Sequence, residues 1–340
     1  MLWKSVAALS TLAVTALGFK NPLKDFNGSD PQMQYWNGNY YLLTTTWTHI
    51  AITTSPTLEG LKTAEPKMVH SSDDPSRCCN LWAPELHYID GNWRIYYTAG
   101  TNGTFDNQFT HVLKGGQDPL DTYEYEDRVV MTGRDVWAID STILQMDYGN
   151  FLIYSSWDPN TPPPPGKADD RDQCLYIANM TSPTTVGRSV KISAPTYDWE
   201  TVGTRVNEGA APLYHGGRTF LSYSAAGCAG GEYKLGLLEL VGGNPMNACD
   251  WKKYPEPVFS ANKEDGVYAP GHNANFYSPD GKETWNVYHA NKDVAGSLLC
   301  DGARDTRAQI ITWGDDGLPI YGEPLPLDTE IAPPSGEVAA

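Results

Sequence analysis

The sequence lacks the features that mark several large classes of protein. Lysine and arginine total 24 against 41 acidic residues, which gives a formal net charge of -17, and no basic stripe is present. A nucleic-acid-binding surface needs such a stripe, and an acidic surface is repelled by anionic membranes. After the first 18 residues no apolar run is long enough to span a bilayer. We therefore expect neither nucleic acid nor a membrane as a partner.

The one long apolar run stands at the beginning of the chain. Met1 to Gly18 contains a single early lysine, a run of apolar residues and small residues near its end. This pattern predicts a signal peptide over residues 1–18, and therefore a secreted, extracellular protein. Three Asn-x-Ser/Thr sequons agree with secretion and predict a glycoprotein; they begin at Asn27, Asn102 and Asn179.

The six cysteines include no Cys-x-x-Cys pair, and no histidine-rich cluster accompanies them, so the sequence does not indicate zinc. An even number of cysteines in a secreted chain predicts disulfides, but the sequence leaves their pairing open. Cys228 and Cys249 are close enough along the chain to form a local bridge. Cys78 and Cys79 are adjacent, so they either bond to each other or pair separately.

Helical periodicity is hard to find, whereas one sequence motif occurs five times. Each copy is a turn containing glycine, then an alternation of apolar and polar residues that ends near a tyrosine. The turn predicts a hairpin and the alternation predicts a strand. The turn glycines lie roughly 60 residues apart and are Gly38, Gly91, Gly149, Gly217 and Gly281.

A unit of about 60 residues with about four strands fits one blade of a β-propeller. The 32 glycines and 25 prolines, scattered throughout, supply the many turns of such a fold. We therefore predict an all-β, five-bladed β-propeller that forms a single domain over residues 19–340. The segment Asp158–Arg171, with four successive prolines, is predicted to be a surface loop. A β-sandwich is the alternative, but it does not explain a fivefold repeat.

Each copy also places a titratable group six to nine residues before its turn glycine. These groups are Asp30, Glu85, Asp140, Glu208 and His272. A propeller brings the starts of its inner strands to one mouth of the axis, so the five groups are expected to converge. Carboxylates in one pocket push their pKa values apart, which provides the acid and the base that glycosidic hydrolysis needs. The alternative is that each carboxylate caps a turn, which does not account for the set.

Several motifs resemble those of glycoside hydrolase family 43. They are SDP from Ser29, WAPELHYIDG from Trp82, AIDST from Ala138, VNEG from Val206 and GHN from Gly271, followed by Arg304 and Gln309. The motifs span nearly the whole chain after the apolar run and keep the order of the family. The resemblance implies a five-bladed propeller that acts as a glycosidase.

The resemblance implies a role for each matching residue. Asp30 resembles the general base, Glu208 the general acid, and Asp140 the third carboxylate, which raises the pKa of the acid and orients it. Arg304 resembles the arginine that binds the sugar. His272 resembles the axial histidine, which in many members contacts a calcium or sodium ion or the waters around it. The reaction requires no cofactor, and the presence of a structural calcium or sodium ion stays open.

Tryptophans are candidates for sugar-stacking platforms. Trp82 is the first candidate because it adjoins the predicted site, and Trp157 and Trp47 lie near the ends of predicted strands. Packing between blades is the alternative use for each of these rings.

Longer stretches indicate a branch of the family. Asn207–Cys228, Tyr268–Phe276 and Ala303–Trp313 look most like the exo-acting α-1,5-L-arabinofuranosidases. This resemblance implies release of L-arabinose, with inversion, from the non-reducing ends of arabinan and arabino-oligosaccharides by a monomer. The alternatives are a β-xylosidase or endo-arabinanase of the same family, and a non-catalytic carbohydrate-binding propeller.

Overall fold

The chain forms five sheets in sequence order, and their strands pair antiparallel except for one short parallel pair in the third sheet. The computed structural model describes residues 18–161, 171–293 and 299–338. The predicted signal peptide, apart from Gly18, and the run of four prolines lie outside the described residues. Within the described ranges, no helix has the length and apolar character that crossing a membrane requires.

Each sheet is a run of neighbouring strands, and the first two sheets have four strands each. Blade one comprises β1 (Gln32–Trp36), β2 (Asn39–Leu43), β3 (Ile50–Ser55) and β4 (Lys67–His70). Blade two comprises β5 (Cys79–Ile89), β6 (Asn92–Gly100), β7 (Phe109–Lys114) and β8 (Glu124–Arg128).

The third sheet has six strands, because two short strands extend it. Blade three comprises β9 (Val130–Met131), β10 (Ile139–Met146), β11 (Gly149–Trp157), β12 (Gln173–Ser182), β13 (Thr185–Val186) and β14 (Val190–Ser193). Blade four comprises β15 (Asn207–His215), β16 (Arg218–Ala225), β17 (Lys234–Leu240) and β18 (Trp251–Lys253). Blade five comprises β19 (Tyr268–Tyr277), β20 (Thr284–Asn291), β21 (Asp305–Trp313) and β22 (Pro319–Ile320).

The helices described are single 3-10 turns in the connections between strands. They are Glu59–Lys62, Asp198–Glu200, Cys228–Gly230 and Ala248–Asp250.

The inner strands close a ring. The strands β1, β5, β10, β15 and β19 contact one another in that order, and β19 contacts β1. Five sheets arranged around such a ring are a five-bladed β-propeller, which confirms the predicted fold. The two ends of the chain meet on blade five, where Lys24 pairs with Thr306 of β21 and Phe19 pairs with Ile331.

The repeated sequence motif forms the hairpin between the two innermost strands of each blade. Gly38, Gly91 and Gly217 lie in tight turns with φ of 88°, 75° and 77°, a region that glycine enters without strain. Gly149 instead begins β11, because Asp147 and Tyr148 form the turn of blade three. The period found in the sequence is therefore real, although one glycine is not the turn residue.

Four cysteines form two disulfides. Cys78 bonds to Cys79, which is one of the two arrangements that the sequence left open. Cys228 bonds to Cys300 rather than to Cys249, so the predicted local bridge is wrong. Although 72 residues separate Cys228 from Cys300, blades four and five meet there and bring their Cα atoms to 5.4 Å. Proximity along the chain was a poor guide because the propeller joins distant segments.

Candidate active site

Each inner strand has a bend at or near its beginning, at the same end of the ring. At each bend one residue has a positive backbone φ angle, between 42° and 55°. These residues are Asp30, Ala83, Asp140, Gly209 and His272. In four of the blades, the pairing of the inner strand with its neighbour is irregular at this point. A non-glycine residue in this region is uncommon and is held there by its surroundings. The fold thus contains five equivalent positions, and four of them carry or adjoin one of the predicted titratable residues.

Glu85 does not belong to this set. The equivalent position in blade two is Ala83, which lies eight residues before its turn glycine, as Asp30 does, whereas Glu85 lies six before. Glu85 lies further along β5 and lines a different cavity, which lies between the five inner strands. There, its Oε2 is 2.8 Å from Nε2 of His87. The predicted convergence of five titratable groups is therefore wrong for Glu85.

The other four titratable residues, Asp30, Asp140, Glu208 and His272, meet in one pocket at the mouth of the axis. The pocket has a volume of about 140 Å³. Its lining is Asp30, Thr45, Trp47, Trp82, Ile139, Asp140, Glu208, Cys228, His272, Cys300 and Arg304. Pockets for drug-sized ligands measure roughly 300–1,000 Å³, so this pocket suits a ligand of the size of a single sugar.

Asp30 is buried but surrounded by cations and hydrogen-bond donors. Its Oδ1 accepts a hydrogen bond from Nη1 of Arg304 at 3.1 Å and lies 3.2 Å from Nδ1 of His272. Its Oδ2 accepts a hydrogen bond from the Thr45 hydroxyl at 2.6 Å. Burial favours the neutral acid, but the positive charges of Arg304 and His272 outweigh it and hold the pKa of Asp30 well below its usual value. Asp30 is therefore a carboxylate at neutral pH.

The pKa values of Asp140 and Glu208 are shifted in the opposite direction to that of Asp30. Burial raises the pKa of Asp140 to about 8, and the negative charge of Glu208 contributes to this rise while His272 opposes it. Burial also raises the pKa of Glu208 above its usual value, again against the charge of His272. Two carboxyls that interact in this way titrate as a pair. The pair retains a proton at a pH at which Asp30 is charged.

Two side chains hold the carboxyl of Glu208. The hydroxyl of Tyr233 donates a hydrogen bond to Oε1 at 2.7 Å, and Nε2 of Gln173 donates one to Oε2 at 2.6 Å. Both bonds favour the charged form and so lower the pKa of Glu208, which limits the rise caused by burial. They also fix the direction in which the carboxyl faces the pocket.

His272 lies between the carboxyls. Its Nδ1 is 3.2 Å from Oδ1 of Asp30 and 4.0 Å from Oδ2 of Asp140. Burial works against the imidazolium, but the charges of Asp30 and Asp140 raise the pKa of His272 above its usual value. Gly209 packs against the ring, where a Cβ atom would lie 3.0 Å from both Cγ and Cδ2 of His272. With a φ of 55° as well, this position favours glycine on two grounds.

The tryptophans divide into two groups. Trp47 and Trp82 line the pocket, with ring centroids 5.6 Å apart in an edge-to-face arrangement. Trp157 does not line it. One face of its ring stacks on Trp137 at 4.3 Å, and the guanidinium of Arg171 lies 3.2 Å from its ring centroid. The structure thus brings Trp82 to the pocket as expected and places Trp157 beside another ring, outside the lining.

A metal ion at His272 was expected to depend on waters. Among the described residues, no group of three or more histidine, cysteine, aspartate or glutamate side chains is arranged to hold a metal ion. The Nδ1 of His272 faces Asp30 and Asp140. Hard cations prefer six or more oxygen ligands, which here would have to come largely from water. A calcium or sodium ion near His272 stays a prediction.

Sequence reasoning missed several residues that hold the site together. The Thr45 hydroxyl, which binds Asp30, also accepts a hydrogen bond from the backbone N–H of Ala83 at 2.8 Å and so links two blades. Nδ1 of His289 accepts a hydrogen bond from the backbone N–H of Asp30 at 3.1 Å, and its ring stacks on Tyr233. These residues do not occupy the repeated position, so the repeat gives no signal for them.

A model of the family "Glycosyl hydrolases family 43" matches residues 19–319. The chain belongs to glycosyl hydrolase family 43.

Members of family 43 with assigned names are similar over most of the chain. An extracellular exo-α-(1→5)-L-arabinofuranosidase of Streptomyces avermitilis is 35% identical over 323 residues, which cover 92% of this chain and 65% of the relative. The α-L-arabinofuranosidase B of Pyricularia oryzae is 32% identical, over 92% of this chain and 66% of the relative. The chain thus spans about two thirds of the length of these curated relatives.

A solved structure shows the same fold. The crystal structure of an α-L-arabinofuranosidase from Lactobacillus brevis matches with a TM-score of 0.83 and 30% sequence identity. The match covers 92% of this chain and 98% of that one. The pocket described above therefore lies in a family 43 propeller whose relatives are named for action on arabinofuranosides.

Proposed function

We propose that the chain is an inverting exo-α-L-arabinofuranosidase. It would release L-arabinose from the non-reducing ends of α-1,5-linked arabinan and of arabino-oligosaccharides. One observation carries this proposal. Asp30 is surrounded by positive groups that keep it charged, while Asp140 and Glu208 in the same pocket retain a proton. A glycosidase needs a base and an acid at the same pH.

The roles follow from these environments. Asp30 is the general base that removes a proton from a water molecule as the water oxygen bonds to the anomeric carbon. Glu208 is the general acid that gives its proton to the glycosidic oxygen as the bond to that carbon breaks. Asp140 is the third carboxyl, which shares the retained proton with Glu208; because two negative charges in one pocket repel each other, a charged Asp140 favours the proton on Glu208. Direct attack by water inverts the configuration at the anomeric carbon.

The two cations of the pocket support the base. Arg304 and His272 each lie within 3.2 Å of Oδ1 of Asp30. Their charges keep Asp30 deprotonated and hold the carboxylate in one orientation. Arg304 and Trp82 are also placed to contact the sugar, because both line the pocket. The chemistry requires no cofactor, and an ion coordinated through waters near His272 is a further part of the proposal.

The size of the pocket favours exo action on one terminal sugar. A volume of about 140 Å³ is small for a segment of polysaccharide. The names of the relatives favour arabinose as that sugar and, for the Streptomyces protein, an extracellular location. We propose secretion and action as a monomer on plant cell-wall arabinan.

The test is a digest of linear α-1,5-arabinan with the products resolved by size. We expect L-arabinose alone from the earliest times, and the first-formed anomer in proton NMR should be β. A ladder of oligosaccharides would indicate an endo-arabinanase, and xylose from xylo-oligosaccharides would indicate a β-xylosidase. Retention on arabinan without any turnover would indicate a binding propeller. The Asp30→Asn variant, which keeps the shape of the side chain, is the negative control.

A further inference from the structure

A disulfide forms part of the pocket wall. Cys228 begins the 3-10 turn that follows β16 of blade four, and Cys300 precedes β21 of blade five. Both cysteines line the pocket that contains the three carboxyls. The cross-link therefore joins two neighbouring blades at the mouth of the axis, beside the reacting groups.

On the blade-five side, Arg304 depends on the segment that begins at Cys300. Its Nη2 donates a hydrogen bond to the carbonyl of Cys300 at 3.1 Å, and its Nε donates one to the carbonyl of Asp301 at 3.1 Å. The remaining nitrogen, Nη1, donates to Oδ1 of Asp30 at 3.1 Å. The backbone at Cys300 and Asp301 thus sets the plane and position of the guanidinium that holds Asp30.

On the blade-four side, the same cross-link supports the partner of Glu208. Cys228 packs against a buried cluster of Tyr233, Ala269 and Leu299. The hydroxyl of Tyr233 donates to Oε1 of Glu208 at 2.7 Å. The disulfide therefore lies between the group that holds the proposed base and the group that holds the proposed acid.

The segment 299–304 is anchored from two directions. The backbone N–H groups of Asn27 and Gly28 donate to the carbonyls of Gly302 and Arg304, at 2.8 and 3.0 Å. These bonds tie the segment to the chain before blade one. The disulfide ties it to blade four. Without the disulfide, the bonds to Asn27 and Gly28 remain, as does the bond from Nδ2 of Asn291 to the carbonyl of Leu299, but no covalent link then holds the segment against Cys228 of blade four.

We propose that the Cys228–Cys300 disulfide is a positioning element of the active site, which fixes Arg304 against Asp30 and Tyr233 against Glu208. This inference rests on the proposed function, because it assumes that Asp30 and Glu208 are the reacting groups. A displacement of about 1 Å in a reacting group reduces the rate by about 100-fold. The cross-link therefore matters for turnover as well as for stability.

The test compares two double variants that each remove one disulfide. Cys228→Ala/Cys300→Ala removes the proposed element, and Cys78→Ala/Cys79→Ala removes the other disulfide as a matched control. Both are assayed with 4-nitrophenyl α-L-arabinofuranoside and with arabinan, well below their Tm. For Cys228→Ala/Cys300→Ala we expect kcat to fall about 10- to 100-fold, because the base and the acid act in the transition state. Displacement of Arg304, which is also placed to contact the sugar, should raise KM by less than kcat falls. The control should retain kcat.

A lower Tm with kcat unchanged would show that the disulfide only stabilises the fold, and would overturn the proposal. A loss carried by KM alone would overturn it too, because the cross-link would then shape sugar binding. If the variant does not fold, the Cys78→Ala/Cys79→Ala protein is reduced after folding with a water-soluble phosphine. Each phosphine becomes a phosphine oxide with an oxygen from water, and the disulfide gains two electrons and two protons. The same fall in kcat is then expected, with recovery on reoxidation, and an unchanged kcat would overturn the proposal.

Failure of the proposed function would be seen separately. Wild-type protein that released no arabinose from either substrate would refute the proposed arabinofuranosidase activity, whatever the disulfide does. Active wild-type protein with an equally active Cys228→Ala/Cys300→Ala variant would refute only the positioning role.

Discussion

The hydroxyl of Tyr233 offers a direct test of the protonation of Glu208. Tyr233→Phe removes the hydrogen bond of 2.7 Å to Oε1 of Glu208 and keeps the ring that stacks on His289. That bond favours the carboxylate and lowers the pKa of Glu208. A hydrogen bond to a charged group contributes about 1.5–3 kcal/mol, and about 1.4 kcal/mol corresponds to one pKa unit. Loss of that bond therefore raises the pKa of Glu208 in the variant.

The sign of the effect on activity follows from the role of Glu208 as an acid. A higher pKa of Glu208 keeps the Asp140–Glu208 pair protonated to a higher pH, so the alkaline limb of kcat/KM, which reports that pair, should move upward by at most about 1–2 pH units. The acid limb, which reports Asp30 as base, should stay in place. The assay is the pH profile of kcat/KM on arabino-oligosaccharides, whose poor leaving group needs the acid.

The matched control makes the same chemical change outside the pocket. Tyr223→Phe removes a hydroxyl that donates to Oε1 of buried Glu200 at 2.9 Å. This variant should lose stability and keep both limbs of the profile. An alkaline limb that stays in place or moves downward in Tyr233→Phe would refute the assignment of Glu208 as the titrating acid.

Two further substitutions test the walls of the site. Gly209→Ala should lower both stability and activity, because the new Cβ would lie 3.0 Å from the ring of His272. Gly217→Ala is the matched control, because Gly217 also has a positive φ, of 77°, but has open space where its Cβ would be. This control should lose only about 1–2 kcal/mol of stability and keep its activity. Circular dichroism melts and kcat on the nitrophenyl substrate separate the two effects. Trp137 and Trp157 form a stacked pair that lines a second pocket, separate from the one that contains the carboxyls. Trp137→Ala should lower kcat/KM about fivefold on arabinan but not on the nitrophenyl substrate, because only a longer substrate would extend to this pocket. Trp36→Ala, an exposed ring at the far end of β1, should change neither, and equal losses on both substrates in Trp137→Ala would contradict this role.

The fold could be predicted from the sequence because its signal is local and repeated. Each hairpin turn requires residues that tolerate positive φ, and each strand shows alternation, so five copies are visible without any knowledge of contacts. The same repeat located Asp30, Asp140, Glu208 and His272 in one pocket. Gly149 shows the limit of this prediction. The spacing of the repeat places a hairpin there correctly, but Asp147 and Tyr148 form its turn and Gly149 begins the next strand.

The errors arise where a contact joins blades or depends on a local bend. Glu85 was grouped with the pocket because residues six to nine before a glycine were treated as equivalent, whereas the bend at Ala83 places Glu85 further along the axis. Cys228 was paired with Cys249 because they are close in sequence, although Cys300 is closer in space. Tyr233, Thr45 and His289 were missed, since a single side-chain hydrogen bond leaves no pattern in the sequence.

The role of Glu208 as the proton donor is tested most directly by the Glu208→Gln variant, assayed on two substrates that differ in leaving group. Arabinan needs a proton on its leaving oxygen, whereas 4-nitrophenolate leaves readily without one. We expect kcat/KM on arabinan to fall by about 100- to 10,000-fold, and the fall on the nitrophenyl substrate to be much smaller. Glu126→Gln is the matched control, because Glu126 pairs with Arg94 at 2.7 Å on an outer strand, and it should retain activity on both. Full activity of Glu208→Gln on arabinan, or equal losses on the two substrates, would contradict Glu208 as the proton donor.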